Sequence, residues 1–411
     1  MWTRATVQTL QRCHHMRARH CRLTSTLTAP HFSSFFFQNS QWAPYNNPQP
    51  MSQLQSLSAG PLPTSDLTGY KEIARPRFKD RLKLYAQLSK ARLTFLNVLT
   101  TMGCLALAPS PTTVPILLST GLGTLLCSAS ANAFNQLQEV PFDAQMARTR
   151  TRPLVRRAIS PLHAATFATV GGIAGPLILW TMVNPTTAIL GAGNVLLYAG
   201  TYTWLKRRHP INTWVGSVVG AVPPLMGWTA SGADLIPSAI HLNLPSFLTQ
   251  VPSLPVESLV DNALSPFALF MLLFSWQFPH FNAFAHYARD AYAQAGYQML
   301  SVLNPRKNAL VSLRHTLLLV PICSVLFPLS GLTTWAFAVT SLIPNAIFVR
   351  AGWQFWKRRT EKEARTLFRH SLWYLPVVLA MAMAHKTGLK WREWLGMEDA
   401  VEEVTSVDQQ S

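Results

Sequence analysis

The sequence predicts an all-α fold, a polytopic membrane protein built as a bundle of about nine transmembrane helices. Of the 411 residues, 49% are hydrophobic and 13% are charged, whereas an average soluble domain has roughly 25% charged residues. Nine apolar stretches follow one another along the chain, and positive charge is concentrated in every second connection between them. The net charge of +18 is therefore assigned to the connections and the first segment, and not to a nucleic-acid-binding surface.

The first 60 residues have a composition of their own. No acidic residue precedes Asp66, and arginines alternate with Thr, Ser, Leu and Gln at Arg4, Arg12, Arg17, Arg19 and Arg22. This pattern predicts a mitochondrial transit peptide, with a disordered basic terminus as the alternative, and residues 43–63 read as a linker. The predicted organisation is a transit peptide and linker (1–60), a matrix-facing N-terminal segment (61–91), a transmembrane domain (92–385) and a polar C-terminal tail (386–411).

The apolar stretches define the transmembrane domain. With their flanking residues they reach spanning length, and their internal Pro and Gly residues are tolerated where neighbouring helices satisfy the freed backbone groups. In chain order they cover residues 93–108, 114–131, 162–183, 187–205, 214–230, 266–284, 316–329, 335–349 and 372–384.

The connections alternate in charge. Basic residues lie in segments 79–92, 148–157, 206–208, 289–314 and 357–359, while the connections between these have almost none. The positive-inside rule places every basic segment on one face, and in a mitochondrion that face is expected to be the matrix side of the inner membrane. The polar motifs of the chain all lie at this face.

The first motif follows the second apolar stretch. Asn135, Glu139 and Asp143 provide side-chain oxygens at i, i+4 and i+8, the ligand type that suits Mg²⁺ bound together with substrate phosphates. Pro141 is expected to break the helix near residue 140, so that Asp143 would belong to the loop that follows the helix. Ordinary helix-end polarity is the alternative interpretation.

Arginines follow the acidic residues directly. Arg148 and Arg152 can neutralise the charge of a diphosphate bound to the metal. Lys206 and Arg207, at the end of the fourth stretch, can bind the same diphosphate from the opposite side. The alternative for Lys206 and Arg207 is a purely topological role.

The third motif ends the sixth stretch. Asp290 provides a candidate second acidic group facing the first, so that a metal-bound diphosphate could be held from two sides, although a simple ion pair with Arg289 is the alternative. His280 and His286 are candidate haem ligands, against the alternative of hydrogen-bonded helix contacts.

Together these segments resemble the membrane-embedded UbiA-type prenyltransferase superfamily, and within it most closely the mitochondrial haem-farnesylating branch. The resemblance rests on N-Q-x-x-E-x-x-x-D, M-x-R-T-x-x-R-P-L, Y-T-x-L-K-R, N-T-W-x-G, P-P-x-x-G-W and W-Q-F-P-H-F-N-A, and it covers roughly residues 91–384. It implies a nine-helix bundle with its active site open to the matrix. It also implies farnesyl transfer from farnesyl diphosphate to a vinyl group of protohaem IX (haem b), which gives haem O for haem A and cytochrome c oxidase.

The same resemblance implies roles for single residues. Mg²⁺ would be held by Asn135, Glu139, Asp143 and Asp290. The diphosphate would be bound by Arg148, Arg152, Lys206 and Arg207, and Tyr202 would lie near the allylic cation. Haem A synthase would act downstream as a partner. The chain departs from the relatives at Ala291, where they tend to carry an acid, and at Trp204, where proline is common.

Two other functions stay open from the residues. A prenyltransferase for quinone precursors of the 4-hydroxybenzoate type would use the same metal chemistry, although Gln136 and the Phe-Pro-His280-Phe segment argue against it. A non-catalytic membrane haem carrier would explain His280 and His286, but it leaves the oxygen ligands and arginines without a role.

Overall fold

The computed structural model describes residues 78–236, 240–245 and 262–389. The transit peptide, the linker and nearly all of the polar tail lie outside these ranges. Within them the chain is helical, and its one β-type pairing is an isolated bridge between Thr333 and Lys386. The all-α fold is confirmed.

The first half of the described chain contains six helices. They are α1 (Phe78–Leu88), α2 (Ala91–Leu107), α3 (Val114–Asp143), α4 (Pro161–Met182), α5 (Pro185–Leu196) and α6 (Asn212–Ala230). A π-helical turn, Leu197–Tyr202, extends α5 and is followed by the short helical segment Thr203–Leu205. The basic residues Lys206 and Arg207 follow this irregular helix end directly.

The second half consists of α7 (Leu264–Tyr287), α8 (Arg289–Gln294), α9 (Leu300–Leu303), α10 (Pro305–Pro321), α11 (Ala336–Thr340), α12 (Leu342–Arg358) and α13 (Glu361–Ala384). A π-helical turn and a last helical turn prolong α10 to Leu329. Five helical segments in the described ranges are long and apolar enough to cross a membrane. The count of nine spans is compatible with this arrangement and stays a prediction.

Three helices begin with the same device. Ser160, Asn184 and Asn304 each accept a hydrogen bond from a backbone N–H of the first turn, and each is followed by proline at the first helical position. The polar side chain satisfies one free donor, while proline has no N–H to satisfy and a backbone angle already suited to a helix. The dipeptides Ser-Pro and Asn-Pro therefore fix the starts of α4, α5 and α10.

Several helices continue past the apolar stretches that predicted them. Helix α3 runs twelve residues beyond residue 131, to Asp143, and α10 begins at Pro305, well before residue 316. The same holds for the end of α12 and the start of α13. All four extensions lie at basic connections, because hydropathy marks only the part of a helix in lipid. The bundle therefore projects polar helix ends on the basic face.

Close helix packing depends on small residues. A Cβ added to Gly175 of α4 would lie 2.9 Å from the Cys127 backbone nitrogen of α3, and one on Gly227 of α6 would overlap the Thr101 carbonyl oxygen of α2. Backbones thus meet directly, as is common between membrane helices. In the second half, α12 and α13 join through stacked Phe348 and Tyr374.

Candidate functional site

The three oxygen-bearing residues of the first motif all belong to α3. Asn135 is 0% exposed, Glu139 5% and Asp143 1%, although they are polar. The expectation that Pro141 breaks the helix is wrong, since α3 continues through it and ends at Asp143. Pro141 lies in the last turn, where a missing backbone N–H costs one hydrogen bond and leaves no helix beyond it to disrupt. The three side chains therefore share one helix face, turning about 40° at each step of four residues.

Basic residues of two connections close on these carboxylates. Lys206 Nζ donates to Glu139 Oε1 at 2.6 Å. Arg152 donates to Asp143 Oδ2 and lies 3.5 Å from Glu139 Oε2. Two residues of α3 and one from each of two connections thus form one buried ion-pair cluster. The diphosphate-binding roles of Arg152 and Lys206 stay predictions.

Lys90 completes this cluster, although the sequence pattern marks it only as a loop charge. It lies between α1 and α2 in the left-handed conformation, with φ of 50°, and its Nζ donates to Asn135 Oδ1 at 2.7 Å and to the Tyr198 hydroxyl at 3.3 Å. The partners of Lys90 lie 45 and 108 residues away in the sequence, so no local sequence pattern predicts these contacts. Each of the three oxygen ligands on α3 is consequently held by a different basic side chain.

The lysines of the cluster differ in acidity. Burial lowers the pKa of Lys90 to about 7, helped by repulsion from Arg152 and only partly opposed by Glu139. Burial also works against the charge on Lys206, but the Glu139 carboxylate outweighs it and the pKa of Lys206 is well above its ordinary value. Near neutral pH, Lys206 is therefore charged and Lys90 lies close to its midpoint.

The oxygen atoms fit a divalent metal that is shared with a substrate. Asp143 Oδ1 is buried with no hydrogen-bond partner among the described residues. In the same ranges no group of three or more His, Cys, Asp or Glu side chains has an arrangement suited to a metal ion. Two carboxylates and one amide suit Mg²⁺, which often takes its remaining ligands from phosphates and water.

An aromatic wall stands beside the cluster. Tyr202 stacks on Tyr198 with ring centroids 5.3 Å apart, and Lys206 Nζ lies 4.6 Å from the Tyr202 centroid. A Cβ on Gly216 would lie 2.8 Å from Tyr202 Cε2, so this glycine makes room for the ring. The face of Tyr202 already holds one cation, which is the chemistry expected of a ring near an allylic cation.

The other predicted diphosphate ligands lie against aromatic rings. The Arg207 guanidinium is 4.3 Å from the Phe142 centroid, and that of Arg148 is 4.7 Å from the Phe284 centroid. Phe142 is the residue before Asp143, so Arg207 lies next to the end of α3. The diphosphate-binding roles of Arg148 and Arg207 stay predictions.

Asp290 does not join the acidic cluster. Its side chain is 88% exposed, and it forms an ion pair with the neighbouring Arg289 at 3.5 Å. This is the alternative that the sequence left open. The role of Asp290 as a metal ligand stays a prediction without a supporting contact.

Both candidate haem ligands take part in helix contacts. His280 Nδ1 lies 2.8 Å from Ser371 Oγ, and its ring stacks on Trp276 at 4.6 Å. His286 Nε2 hydrogen-bonds the Arg359 carbonyl oxygen at 3.0 Å. Axial ligation by either residue stays a prediction.

A cavity of about 60 Å³ lies deeper in the bundle, between α2, α3, α5 and α6. Three polar side chains of α3 line the cavity, namely Thr124, Ser128 and Asn132. Asn135 and Glu139 follow them on the same helix face, so one polar stripe connects the cavity with the ion-pair cluster. This stripe continues the first motif towards the membrane interior. The spacing of 4, 4, 3 and 4 residues is visible in the sequence and is the signal that would have extended the predicted site.

Comparisons with known proteins agree on one family. The sequence profile of the UbiA prenyltransferase family matches residues 97–373. A Yarrowia lipolytica relative named mitochondrial protoheme IX farnesyltransferase is 43% identical over 326 residues, covering 76% of this chain and 63% of that protein. The human protein of the same name is 43% identical over 303 residues, covering 74% and 62%. The chain thus spans less than two thirds of the length of these relatives.

Solved structures share the fold at low sequence identity. Digeranylgeranylglyceryl phosphate synthase matches with a TM-score of 0.59 at 15% identity, over 75% of this chain and 99% of that one. A UbiA homologue from Aeropyrum pernix gives 0.54 at 16%, over 71% and 97%. One from Archaeoglobus fulgidus, bound to GPP and Mg²⁺, gives 0.50 at 13%, over 73% and 99%.

Proposed function

Because the chain belongs to the UbiA prenyltransferase family, we propose that it transfers a farnesyl group from farnesyl diphosphate to a vinyl group of protohaem IX, giving haem O. The observation that carries this proposal is the buried row of Asn135, Glu139 and Asp143, each paired with a basic side chain. The names of the mitochondrial relatives supply the two substrates. Haem A formation for cytochrome c oxidase, with haem A synthase as partner, would follow.

The oxygen-bearing side chains of α3 and the basic side chains would have different roles in binding the diphosphate. Mg²⁺, when bound by Asn135, Glu139 and Asp143, would neutralise charge on the leaving diphosphate, as a metal ion does in phosphate chemistry. A GPP- and Mg²⁺-bound UbiA homologue supports this assignment. Lys206 and Arg152, freed from the carboxylates, would donate to the phosphate oxygens and stabilise the charge that builds up as the C–O bond breaks.

The aromatic wall protects the other product of that step. Tyr202 and Tyr198 present stacked rings beside the cluster, and ring faces attract cations. An allylic farnesyl cation held there is shielded from bulk water and can alkylate the electron-rich vinyl group. Water then captures the resulting cation on the porphyrin side chain.

We place this site on the matrix side of the mitochondrial inner membrane. Support comes from the alternation of charge along the chain, which predicts that the basic connections share the face where α3 ends. The mitochondrial names of the relatives agree with this location.

The decisive experiment uses the protein reconstituted in lipid with haem b, farnesyl diphosphate and Mg²⁺, followed by mass spectrometry of the haem. Haem with a hydroxyethylfarnesyl group is expected, and EDTA or Asp143→Asn should abolish most of it. Prenylation of 4-hydroxybenzoate in preference to haem would establish the quinone-precursor reaction instead. Tight haem binding indifferent to Mg²⁺ and farnesyl diphosphate, with no product, would establish the carrier.

A further inference from the structure

The small cavity under the ion-pair cluster is lined in part by polar side chains. Its lining includes Asn97, Thr124, Ser128, Asn132 and Asn194, together with apolar side chains. Polar groups at this depth are costly unless they have partners or a function.

Two of these polar groups lack a partner. The Thr124 hydroxyl and Asn194 Oδ1 are buried with no hydrogen-bond partner among the described residues, and Thr124 is only 2% exposed. Native structures rarely leave such atoms unsatisfied, and a bound water is the usual explanation. Both atoms belong to residues that line the same cavity.

The size of the cavity favours water over an isoprenoid tail. Its volume is about 60 Å³. One water requires roughly 10–15 Å³ by the same kind of measure, whereas a cavity that takes a benzene ring has about 150 Å³. A small cluster of waters therefore fits this volume, which is less than half of that needed for one benzene ring.

Hydrogen bonds connect the cavity to the proposed reaction site. The Tyr198 hydroxyl donates to Asn132 Oδ1 at 3.3 Å, and both residues line the cavity. Lys90 Nζ donates to Tyr198 at 3.3 Å and to Asn135 at 2.7 Å. Water in the cavity would thus lie at the end of a polar chain that reaches the predicted metal ligands.

We infer that this cavity stores the water that becomes the hydroxyl group of the product, with Thr124 and Asn194 as its positioning residues. The inference rests on the proposed farnesyl transfer. Once farnesyl has bonded to the vinyl group, a carbocation remains on the porphyrin side chain. The water oxygen bonds to that carbon, and the surplus proton passes to the departed diphosphate. If no water is in place, the cation loses a proton and leaves an alkene.

The test compares hydrated and dehydrated products. Thr124→Val and Asn194→Leu remove the polar atoms at nearly constant size, and mass spectrometry in oxygen-18 water distinguishes labelled alcohol from the product that is lighter by one water. Each variant is expected to raise the ratio of alkene to alcohol about fivefold, the order expected for one lost hydrogen bond. Thr124→Ser keeps the hydroxyl and should keep the original ratio.

Thr120→Val is the matched control. Thr120 lies one turn earlier on α3, is 0% exposed and likewise has a hydroxyl with no partner among the described residues, but it does not line the cavity. The same substitution there should leave the product ratio unchanged, so a general effect of removing a buried hydroxyl would be recognised.

The outcomes separate the two proposals. Farnesylated haem whose alkene-to-alcohol ratio is the same in all variants refutes the water site and leaves farnesyl transfer intact. A raised KM for farnesyl diphosphate with an unchanged ratio also refutes it, because the cavity would then hold the isoprenoid tail. If the unaltered protein gives no farnesylated haem, the proposed function fails, and this inference fails with it.

Discussion

Lys206→Met should have opposite effects on the two ligands of the proposed site. Lys206 Nζ lies 2.6 Å from Glu139 Oε1, so the ammonium group occupies a carboxylate oxygen that a metal ion would need. Removing the ammonium should tighten metal binding in the absence of substrate. The same change should weaken diphosphate binding, since a donor to the phosphate oxygens is lost.

The size of the effect follows from the geometry. Two unit charges 2.6 Å apart attract by about 6 kcal/mol at an effective dielectric constant of 20, before the cost of burying them is subtracted. Hydrogen bonds to charged groups contribute about 1.5–3 kcal/mol net, which corresponds to a change of roughly tenfold to a hundredfold in affinity. Arg152, at 3.5 Å from Glu139, remains as a cationic neighbour of that carboxylate in the variant.

Mn²⁺ titration followed by electron paramagnetic resonance measures the metal affinity of the detergent-solubilised protein, and titration with a non-hydrolysable farnesyl diphosphate analogue measures the diphosphate affinity. Arg207→Met is the control, because Arg207 stacks on Phe142 and should leave Mn²⁺ binding unchanged. Equal or weaker Mn²⁺ binding by Lys206→Met would refute the view that lysine and metal compete for Glu139.

Other substitutions test neighbouring features. Asp143→Asn should lower haem farnesylation by about a hundredfold or more, whereas the exposed Asp290→Asn should stay within about fivefold, both measured as initial rates of haem O formation. The pKa of Lys90 is about 7 in the folded protein and has its ordinary value of 10.5 in the unfolded chain, so between these values only the unfolded chain binds the proton. Thermal stability of the ligand-free protein should therefore rise with pH from about 7 to 10, and Lys90→Met should flatten that profile in thermal unfolding scans. Gly216→Ala must displace the Tyr202 ring and should cost about 1–3 kcal/mol, whereas Gly193→Ala, with nothing within 4 Å, should be tolerated in the same scans.

The sequence predicts the helices better than their ends. Hydropathy locates the membrane portion of each helix. It misses the start of α10 by eleven residues, where the Asn-Pro dipeptide at residues 304–305 is the signal that would have placed it. Helix ends that project beyond the lipid carry no hydropathy signal, so α3 and α13 are longer than predicted. Proline likewise misleads at Pro141, because its effect depends on how much helix follows it.

Local motifs predict the members of the site but not their pairing. Glu139, Asp143 and Lys206 are recognisable by residue type and position, yet the choice of Lys206 for Glu139 and of Arg152 for Asp143 depends on how α3 and the connections meet. Lys90 illustrates the limit, since its partners lie in two other helical segments. Asp290 illustrates the reverse, an acid in the expected place whose side chain lies in solvent.

The polar stripe of α3 gives these observations a common physical basis. From Thr124 to Asp143 the polar positions recur every three or four residues, so one helix face stays polar over about 28 Å, from within the apolar stretch to the projecting helix end. The proposed diphosphate chemistry accounts only for the end where Asn135, Glu139 and Asp143 meet the cations. The inner part, with unsatisfied oxygen at Thr124, reduces stability without binding phosphate. The proposed reaction excludes water from one cation and then needs a single water for the next, and a small polar cavity beside the reacting groups would supply it.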